Sequence, residues 1–109
     1  MIGDDPVGAV FSALADGTRR EVVARLSAEG PATPTQLAGQ LPVTRQAVAK
    51  HLAALESAGL VEVTRAGREA RYRLTPAPLH EAMSWMATVG AQWDQRLAAL
   101  RALIDEEAR

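Results

Sequence analysis

Two short helical segments joined by only three residues restrict the fold of this 109-residue chain more than any other feature. Residues 33–36, TPTQ, have the pattern of a helix start, because proline suits the first helical position and glutamine at the third can reach back to the capping threonine. This helix ends by Leu41-Pro42. Thr44 caps the next helix, and Gly59 supplies the left-handed residue that ends it after about residue 58. The sequence therefore predicts a helix-turn-helix at about residues 34–58.

The second helix of this pair has one apolar face and one small polar face. With about 100° of rotation per residue, the inward side chains are those of Val48, Leu52 and Leu55, and the outward ones are those of Gln46, Ala49, Lys50 and Ala53. The major groove of DNA is wide enough to admit a helix, and the first residues of such a helix reach the edges of the bases. The outer face of this helix therefore suits the groove.

A β-hairpin is predicted at about residues 61–74. Apolar and polar residues alternate on both sides of the turn AGRE at 66–69, and arginines occupy the outer face and the tip. Helix, turn, helix and hairpin in this order make a winged helix-turn-helix, in which the hairpin is the wing. We expect a mainly α fold with one small β-hairpin, in the order α-α-α-α-β-β-α, forming a single domain over residues 1–109.

Two further helices precede this unit. The apolar stripe of a short first helix consists of Val7, Val10, Phe11 and Leu14. We expect that helix to stop at the glycine of Ala15-Asp16-Gly17. Thr18 and Glu21 then have the spacing of a capping box, which predicts a second helix from there to about Ala28.

A last helix is predicted at about residues 78–107, and Gly90 either kinks it or splits it in two. Its apolar stripe is wider than one small domain needs to cover, so we expect it to pair with a second copy of the chain. The alternative is that this helix only covers the core of its own domain. The predicted dimer contacts are Trp85, Val89, Trp93, Leu97, Leu100 and Ile104.

The charges are unevenly distributed along a chain whose net charge is only −1. Residues 1–40 carry three basic and five acidic side chains, residues 41–75 carry six and three, and residues 76–109 carry three and five. The balances of −2, +3 and −2 sum to −1, and they concentrate positive charge on the predicted helix-turn-helix and wing. A local surface for an anionic partner is therefore compatible with an acidic molecule.

The predicted DNA-binding residues are those at the start of the fourth helix and on the wing: Thr44, Arg45, Gln46, Ala49, Lys50, His51, Arg65, Arg68 and Arg71. The Gln46 amide can bind adenine through two hydrogen bonds, and Arg45 or Lys50 can bind guanine or phosphate. His51, near the core edge of the helix, suits a structural role or a phosphate contact. The wing arginines suit the flanking DNA backbone.

Several other functions are not expected. The chain has no cysteine, which excludes disulfides and thiolate metal sites. It has no glycine-rich phosphate loop and no histidine near a nucleophile, so we expect neither an enzyme nor a cofactor. No apolar run approaches 18 residues and the first twelve residues do not resemble a signal sequence, so we expect a cytoplasmic protein without a membrane span. The remaining alternative is a winged helix that docks a protein instead of DNA.

The sequence resembles the ArsR-type (ArsR/SmtB) winged-helix repressors of bacteria and archaea over roughly residues 7–104. The resemblance rests on LADGTRREVVARL, on TPTQLAGQLPVTRQAVAKHLAALESAGLVEVTRAGREARYRL and on a tail with two tryptophans. It implies a homodimer that binds an inverted-repeat operator near its own promoter and blocks transcription until a signal, such as a small molecule or a protein, releases it. Gly17 stands where many members have proline, and Ala49 where many have serine, which removes one hydroxyl from the groove face.

Many members of that family release DNA when they bind a metal. Their sites use cysteines in the third helix, which here is Thr35 to Gln40, or histidine and carboxylate pairs on the last helix. This chain has no cysteine, and its last helix has one histidine, His80. His80 and Glu81 are adjacent and so do not share a helix face. We therefore expect a member without metal control, although a site made from His80 of both subunits is the alternative.

Overall fold

The computed structural model describes residues 5–108, so residues 1–4 and 109 of the predicted domain lie outside the described part. Its elements are α1 (Pro6–Ala13), α2 (Gly17–Glu29), α3 (Pro34–Gln40), α4 (Arg45–Ser57), β1 (Val61–Ala66), β2 (Glu69–Leu74) and α5 (Ala77–Glu107). The predicted mainly α fold and its order are confirmed.

Short polar side chains fix where α3 and α4 begin. Thr33 Oγ1 accepts from the Gln36 N–H at 3.2 Å while Gln36 Oε1 accepts from the Thr33 N–H at 2.9 Å, which is the predicted capping box. Thr44 Oγ1 accepts from the Ala47 N–H at 3.1 Å. At the far end of α4, Gly59 has φ of 77°, the left-handed conformation predicted for it.

The predicted start of α2 was wrong. The cap is Asp16, whose Oδ1 accepts from the N–H groups of Thr18 and Arg19 at 2.8 and 3.1 Å, so Thr18 lies inside the helix. Gly17 is the first residue of α2 and does not stop α1, which already ends at Ala13. A carboxylate is as good an N-cap as a threonine hydroxyl, and its charge also suits a helix N-terminus.

One hydrophobic core joins α1, α2, α3, α4, the first strand and the start of α5. Its members that are buried are Val10, Ala13, Val22, Leu26, Leu37, Leu41, Val48, Leu52, Leu55, Leu60, Val61 and Ala82. The inward face predicted for α4 is part of this core. Phe11, predicted to point inward from α1, is instead 39% exposed, because it lies on the side of α1 that faces Trp85.

The hairpin is attached to the helix-turn-helix by a backbone bridge. β1 and β2 pair antiparallel from Val61 opposite Leu74 to Ala66 opposite Glu69, around a turn in which Gly67 has φ of 60°. The Ala32 N–H donates to the Tyr72 carbonyl at 3.0 Å, and the Tyr72 N–H donates back at 2.8 Å. This bridge fixes β2 beside the segment that leads into α3.

α5 is a single helix of 31 residues that passes through Gly90 without a break. Such a helix is about 46 Å long, and only its first turns pack on α1. The chain consequently measures 73 × 32 × 20 Å with a radius of gyration of 19.6 Å, whereas a compact domain of this length has about 13 Å. No helix within residues 5–108 combines the length and the apolar character needed to cross a bilayer.

Candidate nucleic-acid interface

The outer face of α4 is open to solvent. Gln46, Ala49, Lys50 and Ala53 are exposed, as the helical periodicity predicts, and Arg45 beside them is exposed as well. The opposite face is fully buried through Val48, Leu52 and Leu55. Because this burial fixes the rotation of the helix, the polar face has a defined direction relative to the domain.

A cleft of about 470 Å³ separates the start of α3, the start of α4 and the hairpin. Its lining brings together three of the predicted DNA-binding residues, Arg45, Arg65 and Arg68, from two different elements. The other lining residues are Thr33, Pro34, Thr35, Gln36, Glu69, Ala70 and Tyr72. A cleft with three guanidinium groups around it is suited to an anion such as a DNA phosphate.

The hairpin arginines differ in their ion pairs. Arg71 Nε lies 3.2 Å from Glu69 Oε2, and Arg73 Nη2 lies 3.0 Å from Glu62 Oε1. Within residues 5–108, Arg65 and Arg68 form no ion pair and are exposed. The hairpin therefore presents two free cations beside the cleft, and holds the charge of Arg71 against a carboxylate.

His51 is placed differently from the other predicted contacts on α4. It is half-buried, on the flank of the helix near the start of α2. There the pKa of the Asp16 carboxyl is lowered, mainly by the hydrogen bond that it accepts from the Arg19 N–H. Partial burial of the carboxyl raises the pKa, whereas the hydrogen bond from the Thr18 N–H and the charges of His51 and Arg19 lower it further. His51 thus lies close enough to Asp16 to affect its charge, on the side away from the exposed face.

Sequence reasoning missed the other polar residues of the cleft, which are Thr33, Thr35, Gln36, Glu69 and Tyr72. Thr35 and Gln36 were recognised only as part of a helix start, and Tyr72 only as an inward strand residue. Their proximity to the wing depends on the Ala32–Tyr72 bridge, which pairs residues 40 positions apart. The only sequence signal for this proximity was the order of the elements, which places the start of α3, the first helix of the helix-turn-helix, near the wing.

A second surface lies on α5, far from the cleft. The predicted dimer residues Trp85, Val89, Trp93, Leu97, Leu100 and Ile104 are all exposed, by 42–59% of their surface. Met83, Met86 and Leu103 are also exposed. Within residues 5–108, Trp85 packs edge to face against Phe11, with ring centroids 5.8 Å apart and 67° between the planes.

Potential metal ligands are scattered. Within residues 5–108 no three side chains of histidine, aspartate or glutamate lie together as a metal site would require, and His80 is exposed at the start of α5.

Comparisons with known proteins agree with this architecture. Residues 14–64 match the family described as "Helix-turn-helix domain". Over 97 residues the chain is 41% identical to the HTH-type transcriptional regulator Rv2034 of Mycobacterium tuberculosis, covering 89% of this chain and 87% of that protein. Its fold matches an ArsR-like transcriptional regulator from Rhodococcus sp. RHA1 with a TM-score of 0.79 and 44% identity, covering 90% of this chain and 92% of that one.

A third similar protein is CmtR of Mycobacterium tuberculosis, whose solved structure is described as that of a cadmium metal-sensor. It matches with a TM-score of 0.54 and 42% identity over 62% of this chain and 68% of that one. The polar face of α4, the cationic cleft beside the wing and these similarities lead to one conclusion: the chain belongs to the ArsR-type winged-helix transcriptional regulators, which are DNA-binding proteins and not enzymes.

Proposed function

We propose that the protein is a homodimeric repressor that binds an inverted-repeat operator, in or beside its own promoter. The observation that carries this proposal is the position of Arg45, Arg65 and Arg68 around one cleft, next to an exposed polar face of α4. The resemblance to ArsR-type repressors supports the repressing role. A winged helix used for protein contact would not need free guanidinium groups from two elements at one cleft.

Two kinds of DNA contact are assigned to this surface. Gln46 and Lys50, on the exposed face early in α4, read base edges in the major groove. Arg65 and Arg68 hold the DNA backbone beside the groove, with Arg45 between the two sets, and the Thr44 hydroxyl fixes the first turn of α4. Ala49 lets the helix approach closely, and Arg71 is an auxiliary phosphate contact at the edge of this surface. His51, on the other side of α4, has a structural role.

DNA titrations test this division of roles. Gln46→Ala should cost about 1–3 kcal/mol on the operator and little on random DNA, because it removes a base-reading contact. Arg68→Ala should weaken binding to both DNAs and lower the slope of log affinity against log salt by about one unit, because it removes a phosphate contact. Operator and random DNA are titrated at several salt concentrations, after the operator has been selected from a random pool.

Arg25→Ala is the control for the loss of one positive charge, because Arg25 lies on α2, outside both DNA-contacting elements. Equal losses on both DNAs for Gln46→Ala would mean that the wrong face of α4 has been placed in the groove. Salt-independent binding, or none, by the unaltered protein would favour the protein-docking alternative.

The dimer is proposed to form through α5. Its apolar stripe continues from Ala82, which is buried at 3% exposure, to Ile104, which is 59% exposed. A continuous stripe that is covered at one end and open at the other requires a partner for the open part. A dimer also supplies the two recognition helices, about one DNA turn apart, that an inverted repeat requires.

Sedimentation tests the dimer. Replacing Leu97 and Leu100 with glutamate should produce monomers, because an unpaired charge would be buried in the contact. Gln95→Glu adds a charge on the opposite face of the same helix and should leave the dimer intact. A double glutamate variant that is still dimeric at micromolar concentration would remove α5 from the interface.

We also propose that this chain lacks the metal response described for CmtR. Thiolates, the ligands that soft metals prefer, are absent from the sequence, which contributes only His51 and His80 as nitrogen ligands. The signal that releases the operator is then a ligand of another class or a protein.

A further inference from the structure

A cavity separate from the cationic cleft lies between α1, the start of α2 and the end of α4. α1 and α4 each contribute an alanine, a serine and an alanine at positions i, i+3 and i+4, which share one face of a helix. These residues are Ala9, Ser12 and Ala13 on α1 and Ala54, Ser57 and Ala58 on α4. Both helices therefore border the cavity with small side chains.

The cavity is large enough for a small molecule. Its volume is about 290 Å³, the space of about ten water molecules at about 30 Å³ each. This volume is at the lower end of the range for ligand pockets, roughly 300–1,000 Å³. Because α1 packs on α5 whereas α4 packs on α2 and α3, the alanines leave a gap where α1 passes the end of α4.

Arg19, in the first turn of α2, brings a positive charge to this cavity. Its Nη1 donates to the Ala13 carbonyl at 3.1 Å and, less closely, to the Ser12 carbonyl at 3.4 Å. Its Nε atom is buried and has no hydrogen-bond acceptor among residues 5–108. A buried N–H of a charged group without an acceptor is costly and uncommon in folded proteins.

The nearby carboxylate does not supply that acceptor. Asp16 is close enough for the charge of Arg19 to lower its pKa, but its Oδ1 accepts from the backbone N–H groups of Thr18 and Arg19. Within the described part of the chain, the Arg19 guanidinium forms no ion pair. Because the Nε atom is buried, a molecule seated inside the cavity would have to supply the acceptor.

The geometry of a guanidinium indicates which ligand fits. With Nη1 used by the end of α1, the remaining edge consists of Nε and Nη2, whose parallel N–H bonds match the two oxygens of a carboxylate. The exposed hydroxyls of Ser12 and Ser57 are further donors in the lining. The last turns of α1 and α4 also border the cavity, and the carbonyl ends of helices disfavour an anion. We therefore expect a dissociation constant in the millimolar range.

We propose that this cavity binds a small carboxylate, whose oxygens accept from Arg19 and whose short apolar tail packs against the alanines of α1 and α4. Such a ligand connects α1 to the end of α4, the helix whose other end carries Gln46 and Lys50. Occupancy of the cavity would then change how α4 sits on the operator. This consequence rests on the proposed function, whereas the binding of the carboxylate does not.

Titration with butyrate tests the binding without DNA. The protein is labelled with ¹⁵N in a buffer free of carboxylates, and its amide signals and the Nε–H signal of Arg19 are followed by NMR. We expect saturable shifts of the cavity residues with butyrate, and little response to butyramide, which has the same size but no charge. No saturable shift with butyrate, or an equal response to butyramide, would overturn the carboxylate site.

Two variants locate the site. Arg19→Lys keeps the charge but removes the planar pair of donors, and should weaken butyrate binding at least tenfold. Ala54→Leu leaves Arg19 unchanged and fills the cavity, and should abolish the binding. Arg20→Lys is the matched control, because Arg20 also donates to the end of α1, to the Leu14 carbonyl at 2.7 Å, but does not line the cavity. Butyrate binding that either Arg19→Lys or Ala54→Leu leaves unchanged would overturn the site.

The link to the operator has its own measurement. Butyrate should lower the operator affinity of the natural protein severalfold and leave that of Ala54→Leu unchanged, with sodium chloride at equal ionic strength as the control. An operator affinity that does not respond, in a protein that binds butyrate by NMR, would overturn the link but not the site. Absence of operator binding by the unaltered protein would overturn the proposed function and leave the NMR result intact.

Discussion

Asp16 lies at the junction of α1, α2 and α4. It caps α2 with two hydrogen bonds, lies near His51 on α4, and precedes two arginines that close the end of α1. Arg19 Nη1 donates to the Ala13 carbonyl at 3.1 Å, and Arg20 Nη1 donates to the Leu14 carbonyl at 2.7 Å. The turn between α1 and α2 is therefore held by side chains that bond to backbone groups without helical partners.

We predict that Asp16 makes stability depend on pH in the acidic range. Because its pKa is lowered below the ordinary 3.8 in the folded chain, the carboxylate stabilises the fold at neutral pH, and this contribution is lost as the pH falls through that lowered pKa. Asp16→Asn should lower the melting temperature at pH 7, and the difference from the natural protein should shrink below about pH 4. Asp94→Asn, on the exposed surface of α5, is the control. A difference that stays constant with pH would contradict an electrostatic role for Asp16.

Glu69 brings a negative charge to the cationic cleft. It lines the cationic cleft and holds Arg71 at 3.2 Å. We predict that Glu69→Gln raises the affinity for operator and random DNA severalfold and steepens the salt dependence by up to about one unit, because Arg71 becomes free for phosphate.

Glu62→Gln is the matched control for Glu69→Gln. It releases Arg73 from a similar exposed pair on the same hairpin, but Glu62 does not line the cleft. Glu62 and Glu69 lie on the same face of the hairpin, one near its base and one near its tip, so a larger gain for Glu62→Gln than for Glu69→Gln would place the DNA backbone nearer the base of the wing.

Single residues were predictable where their role is local. Thr33, Thr44 and Gly59 act within four residues of their own position, and their roles as caps followed from the sequence. Asp16 was passed over because Thr18 and Glu21 also fit a capping box, and local patterns do not decide between two adjacent caps. His51 near Asp16 and Thr35 beside the wing depend on contacts between distant segments, which periodicity does not encode.

At the scale of elements, α5 is a continuous helix despite Gly90. Beyond its chain neighbours and the backbone of its own helix, a methyl group added at Gly90 would meet no described atom within 4 Å, and one added at Gly67 in the hairpin turn would meet none beyond its chain neighbours. The two positions differ in their backbone, because Gly67 has φ of 60° while Gly90 is helical. Alanine substitutions at these two positions therefore differ in backbone conformation but not in packing.

We predict opposite effects of alanine at these two glycines. Gly90→Ala should stabilise the fold by roughly 1 kcal/mol, because alanine has the higher helix propensity, and raise the melting temperature by a few degrees. Gly67→Ala should lower the melting temperature, since a side chain is strained in the left-handed region. Thermal unfolding measures both. A lower melting temperature for Gly90→Ala would show that a second molecule occupies the space beside the helix.

The elements with the strongest periodicity were the most predictable. The inward face of α4 and the alternation of the hairpin followed directly from spacing, because each buries one side. Periodicity could not decide whether α5 was one helix or two. Glycine within a helix has a free-energy cost that packing of the helix can offset, and the spacing of apolar residues does not show how much of α5 is packed. The position of the hairpin beside α3 required the Ala32–Tyr72 bridge.

At the scale of the whole molecule, the cationic cleft and the apolar stripe of α5 are separate surfaces. Within residues 5–108, neither surface contains a cluster of metal ligands. We predict that calorimetry with zinc, cobalt, nickel or cadmium shows no stoichiometric site tighter than micromolar, because a preformed site normally needs four donors. His80→Ala provides the comparison. A tight isotherm that this substitution abolishes would establish a metal site shared by the two copies.

The length of α5 has a consequence for how the protein responds to its own abundance. Most of this helix lacks a partner within the described part of its own chain, and helices gain most of their stability from packing. In the proposed dimer, this segment of α5 is therefore stabilised only when two subunits associate, a process whose rate depends on the square of the subunit concentration. Occupancy of the operator would then rise with roughly the square of the subunit concentration at low copy number, so a repressor acting near its own promoter would switch over a narrower range of expression than a monomer could.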